Sequence, residues 1–127
     1  MPALNRVQLI GRLGKDPEAR TTPSGKKVAT FSLAVTHRWK AKDGEVRDHT
    51  EWVNVEAWNR LGEVCQDYLH KGSLIYIEGR LKTDRYEDKG EVKYFTKIVA
   101  QMMQMLDHKP EEEPAAAVEE EPAEYEA

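Results

Sequence analysis

Between Thr50 and Asn59 the chain alternates strictly, with Val53, Val55 and Ala57 set between Trp52, Asn54, Glu56 and Trp58. Side chains of a strand point to opposite faces with period two. The pattern therefore predicts a strand that lays the three small apolar residues on a core. Its other face is polar except for two indoles, which a rise of about 3.3 Å per residue places roughly 20 Å apart.

Alternation predicts four more strands. The first runs from Asn5 to Gly14, with Val7, Leu9 and Leu13 on one face. Ile10 breaks its pattern, as expected of a strand that bends and is covered on both sides, and Gly11 and Gly14 suit the bend. Lys27 to His37 forms the second, with Phe31, Leu33 and Val35 inward, and Thr50–Asn59 is the third. In the fourth, Leu74 to Arg85, Ile75, Ile77, Gly79 and Leu81 face in and Tyr86 continues the outer set; Val92 to Gln101 makes the fifth. Lys15 to Gly25, with its two prolines, reads as loop. So does the hydrophilic stretch from Arg38 to His49, which turns at Asp43-Gly44 and carries Trp39 among cations.

Only one stretch has helical spacing. Leu61, Val64, Cys65, Tyr68 and Leu69 recur at i, i+3, i+4, i+7 and i+8, with Asn59 as a candidate N-cap and Lys71-Gly72 as the stop. Three strands, a helix and two strands is the order of an all-β, five-stranded OB-fold barrel with one α-helix between strands 3 and 4. Met102, Met103, Met105 and Leu106 end this body as core or as a subunit contact. From Pro110 onward the chain is almost wholly Pro, Ala and Glu, which predicts a disordered tail. The expected division is an OB domain over 1–109 and an acidic tail over 110–127.

Charge follows the same division. The formal net charge of −4 hides a body carrying all 19 Lys and Arg against 15 acidic residues, and a tail with eight glutamates and no cation. A mildly basic domain with a detached acidic tail suits a polyanionic partner. The single cysteine, Cys65, excludes an intramolecular disulfide framework and any cysteine-based metal site, and suits a reducing compartment. No apolar run reaches membrane-spanning length, and Met1–Arg6 has no apolar signal core. A cytoplasmic protein without membrane association is expected.

OB barrels bind oligonucleotides or oligosaccharides around strands two and three and the neighbouring loops. Trp39, Trp52 and Trp58 fall in that region with Lys and Arg interleaved, the combination that stacks unpaired bases and tracks phosphates. Structured RNA, a carbohydrate or a protein partner on the same barrel stays open, because stacking aromatics also line sugar sites. The side-chain pattern leaves DNA and RNA open as well. Catalysis has little support. His37, His49, His70 and His108 lack zinc spacing, and no metalloprotease, nucleophile-elbow or phosphate-loop motif is present. The carboxylates, scattered among cations, read as solvated surface. No enzyme activity, cofactor or metal is expected.

Three runs together resemble the bacterial single-stranded-DNA-binding protein family. They are Asn5-Arg6-Val7-Gln8-Leu9-Ile10-Gly11-Arg12-Leu13-Gly14-Lys15-Asp16-Pro17-Glu18, Glu51-Trp52-Val53-Asn54-Val55 through Trp58, and Tyr68-Leu69-His70-Lys71-Gly72-Ser73-Leu74-Ile75-Tyr76-Ile77-Glu78-Gly79-Arg80-Leu81. The similarity covers residues 5–106 in order. It implies an OB fold, usually a homotetramer, that wraps single-stranded DNA without sequence preference in replication, recombination and repair at the nucleoid. The family's stacking aromatics match Trp39, Trp52, Trp58 and Tyr86. Its backbone-binding cations match Lys42, Arg60, Lys71, Lys82 and Arg85. Asn54 stands where some relatives carry a phosphate-binding Arg. The resemblance further implies replication and repair enzymes as partners of the acidic tail. The family's usual Ile-Pro-Phe tip has no match in Ala123-Glu124-Tyr125-Glu126-Ala127, where Tyr125 is the one aromatic.

Overall fold

The computed structural model describes residues 2–107 and the three-residue strand 117–119. Its elements are β1 (Val7–Leu13), β2 (Glu18–Thr21), β3 (Lys27–Lys40), β4 (Val46–Trp58), α1 (Asn59–Tyr68), β5 (Leu74–Asp88), β6 (Glu91–Met105) and β7 (Ala117–Glu119). The expected loop at Lys15–Gly25 thus contains a short strand, β2, which pairs antiparallel with β3 from Glu18↔Thr30 to Thr21↔Lys27. Counting it, the helix lies between β4 and β5. The five long strands are the five expected ones.

The sheet runs β1-β5-β6-β4-β3 and closes through β1–β3 pairing at Arg12↔Ala34 and Leu13↔Leu33. A sheet closed this way has no long open edge, and a closed barrel with one helix is the OB architecture. The seam between β4 and β6 is parallel and only two pairs long, Val55↔Ile98 and Glu56↔Val99. Beyond it the hairpins β3–β4 and β5–β6 separate into two arms. Thr36 and Thr50 hydroxyls bond across one arm at 2.8 Å, and Thr83 and Thr96 across the other at 3.0 Å.

Both arms are longer than alternation alone implies. β3 continues to Lys40 and β4 starts at Val46, so the expected loop at Arg38–His49 shrinks to 41–45 and Trp39 sits on a strand. Hydrophilic residues stay in register here because cross-strand pairs hold them. Arg38 grips Asp48 through Nε at 2.8 Å and Nη2 at 3.2 Å. That bidentate bond raises the guanidinium pKa and lowers that of the carboxyl.

The barrel interior is filled by Phe31, Leu33, Val55, Ala57, Ile75, Ile77, Ile98 and Met103, as the alternation predicts for β3, β4 and β5. Leu81 departs from it. It is 47% exposed because β5 has by then left the barrel and entered its arm. Ile10 is 55% exposed in the single chain, so β1 is not covered on both sides there. Among the terminal apolar residues, Met103 enters the core while Leu106 stays exposed.

Helix α1 buries Leu61 and Cys65, with Leu69 just beyond it, whereas Tyr68 is half exposed. Its ends differ from expectation. Asn59 makes no capping bond and instead takes a left-handed φ of 56°, which Asn tolerates better than most residues. At the other end, Leu69 N–H donates to the Cys65 carbonyl, and Gly72, at φ 90°, serves the following His70–Ser73 turn.

Cys65 is fully buried, and burial pushes its thiol pKa up to about 12. The thiolate is the reactive form. The native protein is therefore expected to leave a chromogenic disulfide reagent unreacted at pH 8, and to release one equivalent of thiol in denaturant. Fast stoichiometric reaction of the folded protein would contradict this burial.

Within the tail, β7 pairs antiparallel with β6 at Met102↔Glu119, Met103↔Val118 and Gln104↔Ala117. The rest of the tail, the domain boundary at 109/110 and His108 lie outside the described residues.

Candidate nucleic-acid interface

The two arms and the β1–β2 connection enclose a cleft of about 410 Å³. Alternation on β4 brings Trp52, Asn54, Glu56 and Trp58 to the outer side, where Asn54 and Glu56 line the cleft. Ser32 and Thr30, their partners on β3, line it too. From the opposite arm come Asp84, Phe95 and Lys97; the β1–β2 connection adds Lys15 and Asp16, and β2 adds Glu18 and Arg20.

The aromatics take distinct places. Trp52 is 60% exposed, and its ring lies against Gly14, where a Cβ would fall 2.6 Å from Cζ3. Trp58 is half-buried, and its Nε1–H donates to Glu56 Oε1 at 2.8 Å. Tyr86, 47% exposed, shares a side of β5 with Lys82 and Asp84. Trp39 is not with them. It shares the other side of the β3–β4 arm with His37, on which it stacks with ring centroids 5.6 Å apart.

Among the expected cations, Lys82 faces the Tyr86 side and lies 3.8 Å from Asp84. Arg85 points to the opposite side of that arm, paired across to Tyr94. Arg60 is exposed in the first turn of α1, two residues after Trp58, and Lys42 is exposed in the 41–45 turn. Lys71 sits near the far end of the cleft, its backbone N–H donating to Asp16 at 2.8 Å. Among the described residues, none of Lys42, Arg60, Lys71 and Arg85 has a carboxylate within ion-pair distance, so their charge is free for phosphate.

The cleft also contains groups that the strand pattern does not single out. Phe95 is 43% exposed and pairs with Asp84 on the Tyr86 side. Its signal was weak because Tyr94-Phe95 is a doublet; only the cations two residues away, Lys93 and Lys97, hinted at it. Glu56 reverses an expectation outright. Instead of a solvated carboxylate it is 5% exposed, and its Oε2 accepts from Lys97 Nζ at 2.8 Å. Lys97 also pairs with Asp84 at 2.8 Å.

Lys97 thus neutralises two carboxylates on one face. Its bond to Asp84 is the largest influence holding that carboxyl below its usual pKa. Burial works against the Lys97 charge, but its bonds to Asp84 and Glu56 outweigh burial and raise its pKa. A depressed carboxyl favours the fold above its unfolded pKa, and that contribution is lost as pH falls through the folded value. A raised ammonium favours it below the unfolded pKa and loses effect as pH rises through the folded value. The network is therefore whole across the neutral range.

Residues 4–106 match the model of the single-strand binding protein family. The chain belongs to that family. Over 105 residues it is 48% identical to single-stranded DNA-binding protein 1 of Chlorobaculum tepidum, a match covering 81% of this chain and 65% of the relative. The chain therefore spans a little under two thirds of that relative's length. A solved Plasmodium falciparum SSB in complex with single-stranded DNA superposes with a TM-score of 0.76 at 30% identity, covering 84% of this chain and 98% of the other. Among the described residues no group of three His, Cys, Asp or Glu could hold a metal ion. None of their helices is long and apolar enough to cross a membrane.

Proposed function

We propose that this chain binds single-stranded DNA without sequence preference and protects it during replication, recombination and repair. The observation that carries the reading is the exposed Trp52 on the outer side of β4, beside a cleft faced by Phe95 and flanked by Tyr86 and cations. Membership of the family and the likeness to the Plasmodium complex support it. Bases stack on the aromatic rings, and any base serves because each has a π-face. Lys42, Arg60, Lys71, Lys82 and Arg85 would meet phosphates and release counterions. Duplex is a poor ligand because its bases are already stacked. Binding the open strand draws hairpins open by mass action, with no chemical step.

We further propose a homo-oligomer, a tetramer as is usual in the family, acting in the cytoplasm at the nucleoid. Exposed Ile10 on β1 supports a contact between copies. Replication and repair proteins would be reached through the acidic tail.

Titration with oligo-dT while following tryptophan fluorescence tests the main reading, because Trp39, Trp52 and Trp58 are the only indoles. Deep quenching is expected, with affinity falling steeply between low and high salt and little response to duplex of equal length. Unchanged fluorescence with no binding would overturn the reading and leave the barrel with another ligand.

A further inference from the structure

We infer that Glu56 and Lys97 are positioning residues for the binding face: together they fix the orientation in which Trp58 presents its indole to a base. The inference rests on the single-strand reading above and adds a role to two residues that touch no base in it.

Glu56 is an improbable residue for a surface that must attract phosphates. It is an anion, it is 5% exposed, and burying a charge is costly unless it is paired and hydrogen-bonded. Lys97 meets that condition, with side-chain exposures of 12% for Lys97 and 6% for Glu56. A buried pair of this kind is weak evidence of stability, since apolar residues of similar size often serve the fold as well. Phosphate affinity does not account for it either, because Lys97 spends its charge on Glu56 and Asp84.

The remaining feature is the second carboxylate oxygen. Oε1 accepts the Trp58 indole N–H at 2.8 Å, while Oε2 is held by Lys97 at 2.8 Å. Residues two apart on a strand share a face, so the carboxylate meets the indole from the side, at its edge. Lys97 comes from β6, 41 residues away, and ties that carboxylate across the parallel seam where Glu56 pairs with Val99. The carboxylate cannot turn without giving up Lys97, and the ring cannot turn without giving up the carboxylate. A ring fixed beforehand loses less freedom when a base stacks on it.

A thermodynamic cycle separates positioning from general support. Affinity for fluorescein-labelled oligo-dT is measured by anisotropy for the full chain, Glu56→Leu, Glu56→Gln, Trp58→Ala and the Glu56→Leu/Trp58→Ala pair. Lys97 keeps Asp84 when Glu56 is replaced, so no cation is stranded. Glu56→Leu is expected to weaken binding about fivefold to tenfold, a loss of preorganisation. Glu56→Gln keeps one oxygen to accept the indole N–H but turns its NH2 toward the Lys97 ammonium, so it should recover only part of that. In the Trp58→Ala background Glu56→Leu should cost little more. Equal losses with and without Trp58, or full affinity in Glu56→Leu, would overturn the inference. If Trp58→Ala itself binds as tightly as the full chain, the stacking role of Trp58 fails first and the inference falls with it.

Should Glu56→Leu fail to fold, indole hydrogen exchange in the unaltered protein gives the same decision. The Trp58 indole proton is expected to exchange more slowly than those of Trp39 and Trp52. Exchange at the same rate as theirs would overturn the inference.

Discussion

Trp52→Ala is expected to lower affinity for oligo-dT by roughly 5- to 150-fold, the range that corresponds to about 1–3 kcal/mol for one stacked base. The melting temperature should hardly move. Trp52 is 60% exposed and contributes little to the barrel interior, and substitutions at such positions usually change stability by no more than about 0.5 kcal/mol. What makes this ring a strong platform is Gly14. The bend at the end of β1 brings backbone without a Cβ against the indole, and an added methyl would fall 2.6 Å from Cζ3. The Cε3–Cζ3–Cη2 part of the ring is backed by the chain while most of the residue stays open to solvent. Gly14→Ala should therefore reproduce part of the Trp52→Ala defect by pushing the ring off its seat, with the indole still present. Anisotropy titrations at one salt concentration check both variants. Unaltered affinity in Trp52→Ala would remove this residue from the interface. Lys42→Ala, by contrast, should weaken all sequences alike and reduce the slope of log K against log salt by about 0.7 if it meets one phosphate.

Most of the barrel was legible because its signal is local. Val53, Val55 and Ala57 alternate, Leu61, Cys65 and Leu69 repeat at helical spacing, and neither pattern needs a partner to be read. The two arms were harder, since their hydrophilic residues stay in strand form through pairs such as Arg38–Asp48 rather than through burial. The short strand at Glu18–Thr21 is exposed at every position and so carries no apolar alternation. For the site, Trp52 and Trp58 could be placed on one face from parity alone. Trp39 could not, because its side is settled by how far β3 continues past Thr36. The Glu56–Lys97 bond spans 41 residues and depends on a two-pair parallel seam, which no local pattern encodes.

Gly79→Ala is expected to be the most destabilising single methyl in the protein, and the reason is topological. Gly79 is buried on β5 beside a register shift between Glu78 and Gly79, and it pairs with Val7 of β1 on one side and Ala100 of β6 on the other. A Cβ there would run into the carbonyl oxygen of Val99, with Val99 C at 2.9 Å and Ala100 Cα at 3.0 Å. All three are backbone atoms, so no rotamer change relieves the clash. Nor can β5 slide away, because it is hydrogen-bonded on both edges within a closed barrel. Overpacking of this kind costs typically about 1–3 kcal/mol, a sizeable part of the roughly 5–15 kcal/mol that holds a domain together. For a domain of this size that corresponds to a fall in Tm of several degrees, about 4–8 °C per kcal/mol for 60–100 residues. Gly90→Ala is the control: it lies at φ 82° in the β5–β6 turn with nothing within 4 Å of an added Cβ, so only local backbone strain opposes it. Urea unfolding of the two variants should separate them, with Gly79→Ala the lower midpoint. A Gly79→Ala midpoint equal to that of the unaltered protein would mean that β5 can shift after all, and that the barrel is less tightly closed at β6 than its pairing requires.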